Sequence, residues 1–189
     1  MARLVGGALA LAGICVWVGC AAFADDAPGG AAAATGAGRA VTFTLDDLPA
    51  SRSGSLADIR ATTTRLLAHL KASGIPATGF VNEMKLDVPG EEAQRTALLA
   101  AWLDAGHDLG NHSYSHRRLY DTPLAEFQED VLRGERVTRR LHAERGRRPR
   151  YFRHPTLNTG PDAVTKAAFE EFLAAHGYTV APVTIDNDE

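Results

Sequence analysis

The chain has 189 residues, of which 45% are hydrophobic, and this suits a single globular domain at about 100–200 residues per domain. A formal net charge of -3 with 23% charged residues excludes a disordered polar chain. It also argues against a general nucleic-acid-binding protein, which would carry a strong basic excess. Both cysteines, Cys15 and Cys20, lie near the start, so a metal site further along the chain must use His, Asp or Glu.

The N-terminus has the pattern of a signal peptide, residues 1–24. An apolar stretch at 4–18 follows a basic residue, and Ala-Phe-Ala at 22–24 fits a small-x-small cleavage site. A membrane-spanning helix and lipid attachment at Cys20 are weaker alternatives, because glycines dilute the apolar run and Trp stands where a lipidation signal usually has Leu. Residues 25–39 are rich in Ala and Gly and predict a flexible linker. We therefore expect an exported protein, periplasmic or secreted, without a stable membrane span in its mature chain.

From residue 40 onward, strand patterns alternate with helix patterns. A short apolar, β-branched segment at 40–45 predicts a buried strand. Hydrophobic residues three and four apart from Leu56 to Leu70 predict a helix that stops at Gly74. The alternation continues with strands predicted at 77–81, 107–110, 151–152 and 178–185, and with helices opened by Glu91, Pro123 and Pro161.

Strands separated by helices imply parallel pairing with the helices packed outside, an α/β fold. The helix opened by Pro123 is predicted to run in one piece to Leu141, with an apolar stripe on one side and solvated arginines on the other. Five strands are too few to close an eight-stranded barrel. The sequence ends directly after the fifth strand, so we expect a fragment truncated at about that strand.

Polar side chains follow four of the predicted strands. Asp46 and Asp47 follow the first strand, His112 and His116 the third, and Arg153 the fourth, while residues 186–189 follow the fifth. In a parallel sheet or barrel the carboxyl ends of the strands share one rim, where functional groups collect. We therefore predict that these side chains surround one site.

Two imidazoles and one carboxylate make a three-ligand metal site with an open position for water. His112 and His116 are four residues apart, so both rings can point the same way on a helical turn. Neighbouring side chains of an extended chain point apart, so one aspartate is expected to ligate and the other to act as a base. The ligand types favour zinc, although cobalt or manganese would also suit them. Such a set is suited to hydrolysis of an amide or ester.

Three motifs resemble those of the polysaccharide deacetylases, the family named for the NodB homology domain and also called carbohydrate esterase family 4. They are TLDDLP at 44–49, GNHSYSH at 110–116 and FRHP at 152–155, and the resemblance covers about residues 40–189. It implies a distorted, incomplete (β/α) barrel that removes N-acetyl or O-acetyl groups from a polysaccharide or oligosaccharide. The resemblance implies that Asp46 is the base and that Arg153 orients it. It implies that Asp47, His112 and His116 are the metal ligands. It also implies that the backbone amide of Thr156 helps to bind the oxyanion.

The chain also departs from the family's pattern. Leu45 and Leu48 stand where the family usually has Phe and Gly, and Leu157 stands where it usually has Gly. Residues 186–189 resemble the start of a fourth motif without its Trp, and the fifth motif, whose His is the family's general acid, is absent. We therefore expect this 189-residue chain to cleave amides poorly.

Two alternatives to an acetylated-polysaccharide deacetylase stay open. An acetylxylan esterase would use the same site, and a non-catalytic carbohydrate- or metal-binding protein is favoured if the chain truly ends at Glu189. No nucleic-acid partner is expected, and the oligomeric state is left open. The other conspicuous residues receive structural interpretations. His107 is assigned a structural function at the start of a strand, Trp102 to the core and Asn111 to the metal-site turn, and His154 only weakly to the cleft. The remaining histidines are assigned to the surface or boundary of helices: His69, His142 and His176.

Overall fold

The structure is a computed structural model that describes residues 41–50 and 54–185. The predicted signal peptide, the linker and the acidic residues 186–189 lie outside the described residues. Within the described ranges, no helix is both long enough and apolar enough to cross a membrane.

Five parallel strands form one sheet, and they are ordered in space as they are in sequence. The α/β class with a parallel sheet is therefore confirmed. Sequential parallel order is also the order of strands in a (β/α) barrel, and it brings all carboxyl ends to one rim. The strands are β1 (Phe43–Leu48), β2 (Ala77–Val81), β3 (Asp108–Asn111), β4 (Tyr151–Phe152) and β5 (Thr179–Val180).

Five helices connect the strands, and their ends follow local sequence signals. The first begins at a capping box in which Ser55 and Asp58 bond each other's backbone amides, and it ends at Gly74 in the left-handed conformation. Asp162 caps the last helix by accepting from the Thr165 amide. The helices are α1 (Leu56–Ser73), α2 (Glu92–Asp104), α3 (Leu124–Arg133), α4 (Arg136–Ala143) and α5 (Ala163–Ala175).

The core consists of two clusters of buried side chains that support the sheet. One is built around Trp102, which is 1% exposed and packs with residues of β2, α1 and α2. The other is aromatic, with Phe127, Phe152 and Phe169 in edge-to-face contact at centroid distances of 5.1–6.5 Å. The core position predicted for Trp102 is confirmed.

The helix predicted to run unbroken from Pro123 to Leu141 is two helices, interrupted at Gly134. A Cβ at Gly134 would lie 2.4 Å from the backbone of Ser113 and Tyr114, so the loop after β3 passes directly against this glycine. Hydrophobic spacing predicted the buried stripe, which includes Phe127 and Leu141, but spacing does not register a backbone approach from a distant loop.

Three further expectations are corrected. The first strand begins at Phe43 rather than residue 40, so Asp46 and Asp47 lie inside it, and its start is half exposed. The last strand is only Thr179–Val180 rather than 178–185. His142, predicted at the surface or boundary of a helix, is fully buried, with its Nε2 3.1 Å from the Leu109 carbonyl oxygen.

Candidate metal centre

The two neighbouring aspartates of β1 reach the same rim because the strand is irregular there. Its register against β2 shifts between Leu45 and Leu48, and Asp47 has a φ of 68°. Left-handed backbone is uncommon for a non-glycine residue, although Asp tolerates it better than most. The Asp46 Oδ2 lies 3.9 Å from His112 Nε2, and the Asp47 Oδ1 lies 3.7 Å from His116 Nε2.

His112 is held in a defined tautomer at the end of β3. Its Nδ1 lies 2.8 Å from the Arg153 carbonyl oxygen, which can only accept, so Nδ1 carries the proton and Nε2 keeps a lone pair. Burial of this 2%-exposed residue lowers the pKa of the imidazole to about 4, against opposing effects that include the bond to Arg153. The ring is therefore neutral near pH 7, which is the form that binds metals.

The turn that carries both histidines is fixed from below by Asn111. Its Oδ1 accepts from the Ser113 amide at 2.7 Å, and its Nδ2 donates to the Val131 carbonyl at 3.0 Å and to the Tyr178 hydroxyl at 3.3 Å. The Ser113 hydroxyl in turn accepts from the His116 amide at 3.1 Å. Ser113 and His116 both have positive φ, and these bonds hold that conformation. The turn-shaping function predicted for the Asn111 amide agrees with this network.

Asp47, His112 and His116 each direct one ligand atom to a common place, and these three atoms lie within 4.8 Å of one another. The two imidazole rings are edge-to-face with centroids 5.0 Å apart. One carboxylate and two imidazoles fit a divalent cation such as zinc, with room for a further ligand. The structure thus brings together the three residues that the sequence singled out, while their function as ligands stays a prediction.

Arg153 contacts Asp46, the predicted base, and is itself rigidly held. Its guanidinium Nη1 lies 3.2 and 3.4 Å from the two Asp46 carboxylate oxygens. The other nitrogens donate to the Ala181 carbonyl at 2.9 Å and to the Thr44 hydroxyl at 3.1 Å, and the group stacks 4.6 Å above the Phe80 ring. Because the arginine is 3% exposed, its geometry constrains the orientation of Asp46.

The turn after β4 has two consecutive residues with positive φ, Thr156 at 54° and Leu157 at 56°. Such a pair is strained for residues with a Cβ, and strain of this kind is concentrated at functional sites. Leu157 occupies the position where the polysaccharide deacetylases usually have Gly, a residue that adopts positive φ without steric cost. The oxyanion-binding function of the Thr156 amide stays a prediction.

Sequence reasoning missed Lys85, which forms an ion pair with Asp47. Its Nζ lies 2.9 Å from the Asp47 Oδ1. The signal was present, because Lys85 comes four residues after the end of β2 and therefore lies at the same rim as the other polar groups. Two carboxylates thus face two fixed cations here, Arg153 and Lys85.

The other five histidines of the chain lie elsewhere in the fold. His154 is 4% exposed and packs between Phe152 and Phe169, and burial lowers the pKa of its ring to about 4. His107 is buried against Trp102, which agrees with its predicted structural function, and His142 is buried below β3. The two remaining histidines, His69 and His176, are exposed.

The family model described as polysaccharide deacetylase matches residues 33–181, which is most of the chain. The chain therefore belongs to the polysaccharide deacetylase family, as its three motifs predict. No curated protein matches the chain significantly.

Solved structures of the same family share the fold. A family 4 carbohydrate esterase from Streptomyces lividans is 25% identical with a TM-score of 0.53, and the match covers 75% of this chain and 61% of that one. The chitin deacetylase of the fungal pathogen Colletotrichum lindemuthianum is 26% identical with a TM-score of 0.53, over 74% of this chain and 53% of that one.

A family 4 pseudoenzyme from Bacillus anthracis has the same fold, with 17% identity and a TM-score of 0.53 over 74% of this chain and 41% of that one. The chain thus spans less than two thirds of the length of each of these structures.

Proposed function

We propose that this protein is a metal-dependent hydrolase that removes acetyl groups from a polysaccharide or oligosaccharide. The observation that carries the proposal is the convergence of one carboxylate and two imidazole donors beside an arginine-held aspartate. Membership of the polysaccharide deacetylase family supports the same substrate class.

In this proposal Asp47, His112 and His116 hold the divalent cation, most suitably zinc, with cobalt and manganese as alternatives. The cation would supply a water of lowered pKa and polarise the acetyl carbonyl oxygen. The Asp46 carboxylate accepts the proton of the attacking water, and Arg153 keeps that carboxylate oriented. The Arg153 carbonyl, through its bond to His112 Nδ1, orients the imidazole that would ligate.

Acetyl esters are the second candidate substrate, since the same site would serve either linkage. Within residues 41–50 and 54–185, the histidines other than the two proposed ligands are packed in the core or exposed. An amide needs a proton delivered to its leaving nitrogen, and a positioned acid contributes about 10²–10⁴-fold. An alkoxide leaves more readily than an amine anion, so ester cleavage depends less on such an acid.

The site of action proposed for the protein is outside the cytoplasm. The signal-peptide pattern of residues 1–24 supports export, and an acetylated cell-surface or extracellular polymer would be accessible there.

The experiment is a combined metal and activity assay on chelator-treated, refilled protein. Zinc should bind at one equivalent and restore acetate release, faster from an activated acetyl ester than from an N-acetylated sugar oligomer. Replacing His116 by Gln should weaken zinc binding by at least about 10-fold. Losing a residue that binds the metal directly should cost at least as much affinity as losing a residue that only orients a ligand. The matched control is His69→Gln on the exposed side of α1.

Zinc binding without any acetate release would favour the non-catalytic carbohydrate- or metal-binding alternative. Zinc binding that is equal in the wild type, His116→Gln and His69→Gln would overturn the proposed site.

A further inference from the structure

Lys85 uses its whole hydrogen-bonding capacity on the segment that carries Asp47. Its Nζ donates to the Asp47 Oδ1 at 2.9 Å, to the Asp47 carbonyl at 3.1 Å and to the Ala50 carbonyl at 3.1 Å. An ammonium group has three protons, and these three acceptors account for all of them. None is left for a substrate, so Lys85 acts on the site through Asp47 and not on the reacting atoms.

The backbone around Lys85 is anchored independently of Asp47. Residues Glu83–Leu86 form a 3₁₀ turn, and the Lys85 carbonyl accepts from Arg95 Nη1 at 3.0 Å. Arg95 is 8% exposed and is held by an ion pair with Glu91. The ammonium is therefore presented from a fixed turn, whereas the Asp47 carboxylate that it binds is 28% exposed and would otherwise be free to rotate.

The same segment also binds the loop that carries the two histidines. The Asn82 side chain donates to the His112 carbonyl at 2.6 Å, and the Met84 amide donates to the Tyr114 carbonyl at 3.1 Å. Three of the four residues after β2, Asn82, Met84 and Lys85, thus contact the two segments that supply the proposed ligands. Lys85 is the member of this group that contacts a ligand's own carboxylate.

We infer that Lys85 is the positioning residue of the metal centre, which holds Asp47 in the orientation that binds the cation. This inference rests on the proposed function. Asp47 needs such support because its backbone is in the left-handed region, where a residue with a Cβ is held only by its surroundings. The oxygen that accepts from the ammonium, Oδ1, also lies 3.7 Å from His116 Nε2, so the ion pair keeps the Asp47 carboxylate turned toward the imidazoles.

An ammonium group close to a metal cation also repels it, so Lys85 could either strengthen or weaken metal binding. Orientation outweighs repulsion here, because the pairing with Asp47 neutralises the ammonium, and because loss of the lysine would release one ligand and two carbonyl acceptors at once. Removing a partner that orients a ligand typically costs 10–100-fold in metal affinity. Lys85 should therefore strengthen metal binding, although it is itself positively charged.

The test measures zinc dissociation constants by competition with a chromophoric chelator, without reference to turnover. Lys85→Met should weaken binding by about 10–100-fold. The matched control is Lys166→Met, which removes a lysine paired with Glu170 on the surface of α5, and it should bind zinc as the wild type does. Lys85→Arg keeps the charge and several donors and should recover part of the affinity.

A double-mutant cycle separates positioning from a general structural effect. If Lys85 acts through Asp47, Lys85→Met should cost almost nothing further in an Asp47→Asn background. Thermal unfolding of each variant without metal identifies any that fails to fold, and Lys85→Gln then takes the place of the methionine variant.

Unchanged or tighter zinc binding by Lys85→Met would overturn the inference while leaving the proposed function intact. Additive losses in the cycle would also overturn it. A wild-type protein that binds no zinc would overturn the proposed function itself, and this inference with it.

Discussion

Asp47 brings two adjacent carboxylates to one site through its own backbone. In a regular strand the side chains of Asp46 and Asp47 would point to opposite faces of the sheet. The φ of 68° and the register shift against β2 break that alternation, so one carboxylate meets Arg153 and the other meets Lys85. Because of this irregular geometry, the proposed base Asp46 and the proposed ligand Asp47 lie at the same site.

Asp46→Asn tests the division of function between the two aspartates. The amide has the same shape but cannot take a proton, so zinc affinity should stay within about threefold while turnover falls by about 10²–10⁴-fold. Metal content and acetate release are measured on the same sample.

The control for that variant is Asp121→Asn, which changes an exposed carboxylate that is likewise paired with an arginine. It should leave both quantities unchanged. Turnover close to the wild-type rate in Asp46→Asn would exclude Asp46 as the base.

At the level of elements, the break between α3 and α4 lets a helix pair approach the histidine loop. Gly134 lies against the backbone of Ser113 and Tyr114. These two residues stand in the sequence between the proposed ligands His112 and His116. Nearby, the Glu83 carboxylate accepts from the amides of Val137 and Thr138 at 3.0 and 2.7 Å, and so caps the start of α4. The loop after β2 and the start of α4 are thereby joined around the site.

Gly134→Ala should disturb both stability and the site. The new Cβ would meet backbone atoms at 2.4 Å, which cannot move aside as a flexible side chain can. We expect a loss of about 1–3 kcal/mol in the free energy of unfolding, measured by urea denaturation. Weaker zinc binding should accompany it, because the displaced backbone connects His112 to His116.

Gly54→Ala is the matched control, since its Cβ would meet its nearest neighbour at an ordinary 3.5 Å. It should remain close to wild type in both measurements. Full stability and affinity in Gly134→Ala would show that the loop can move away at no cost.

For the whole molecule, buried histidines make stability depend on pH. Burial lowers the pKa of four histidines, to about 4 in the case of His112 and His154: His107, His112, His142 and His154. In the unfolded chain these histidines have a pKa of about 6.5, so on acidification the unfolded state takes up protons before the native state does. Stability is therefore fully present above about pH 6.5 and is lost as the pH falls toward 4.

His154→Leu should flatten that dependence. The His154 ring is packed among aromatic side chains, and neither ring nitrogen makes a hydrogen bond of good geometry within the described part of the chain, its approach to the Asn158 backbone included, so an apolar replacement costs little at pH 7. Between pH 7 and 4 the variant should lose about 3 kcal/mol less than the wild type, from roughly 1.4 kcal/mol per pKa unit. The measurement is chemical denaturation across this pH range with a chelator present.

The exposed His69→Gln variant should follow the wild-type curve. A slope for His154→Leu equal to that of the wild type would mean that His154 does not resist protonation in the native state.

Local patterns in the sequence predicted most of the elements. The spacing of Ile59, Thr63 and Leu70 predicted the buried face of α1, and Gly74 predicted its end. The strand Ala77–Val81 was predicted with its observed limits. These features depend on neighbouring residues only, so a single sequence contains them. The position of β1 was shifted by three residues because its irregular second half has no regular strand pattern.

The chemical groups of the site, and the strand that each of them follows, can be predicted from the sequence alone. Parallel strands separated by helices place Asp47, His112 and Arg153 at one rim whatever the details of packing. How these groups meet depends on the folded chain, as three features show: the φ of Asp47, the ion pair with Lys85 and the burial of His142. Each of these depends on contacts between residues more than 30 positions apart in the chain, whose geometry no local pattern encodes.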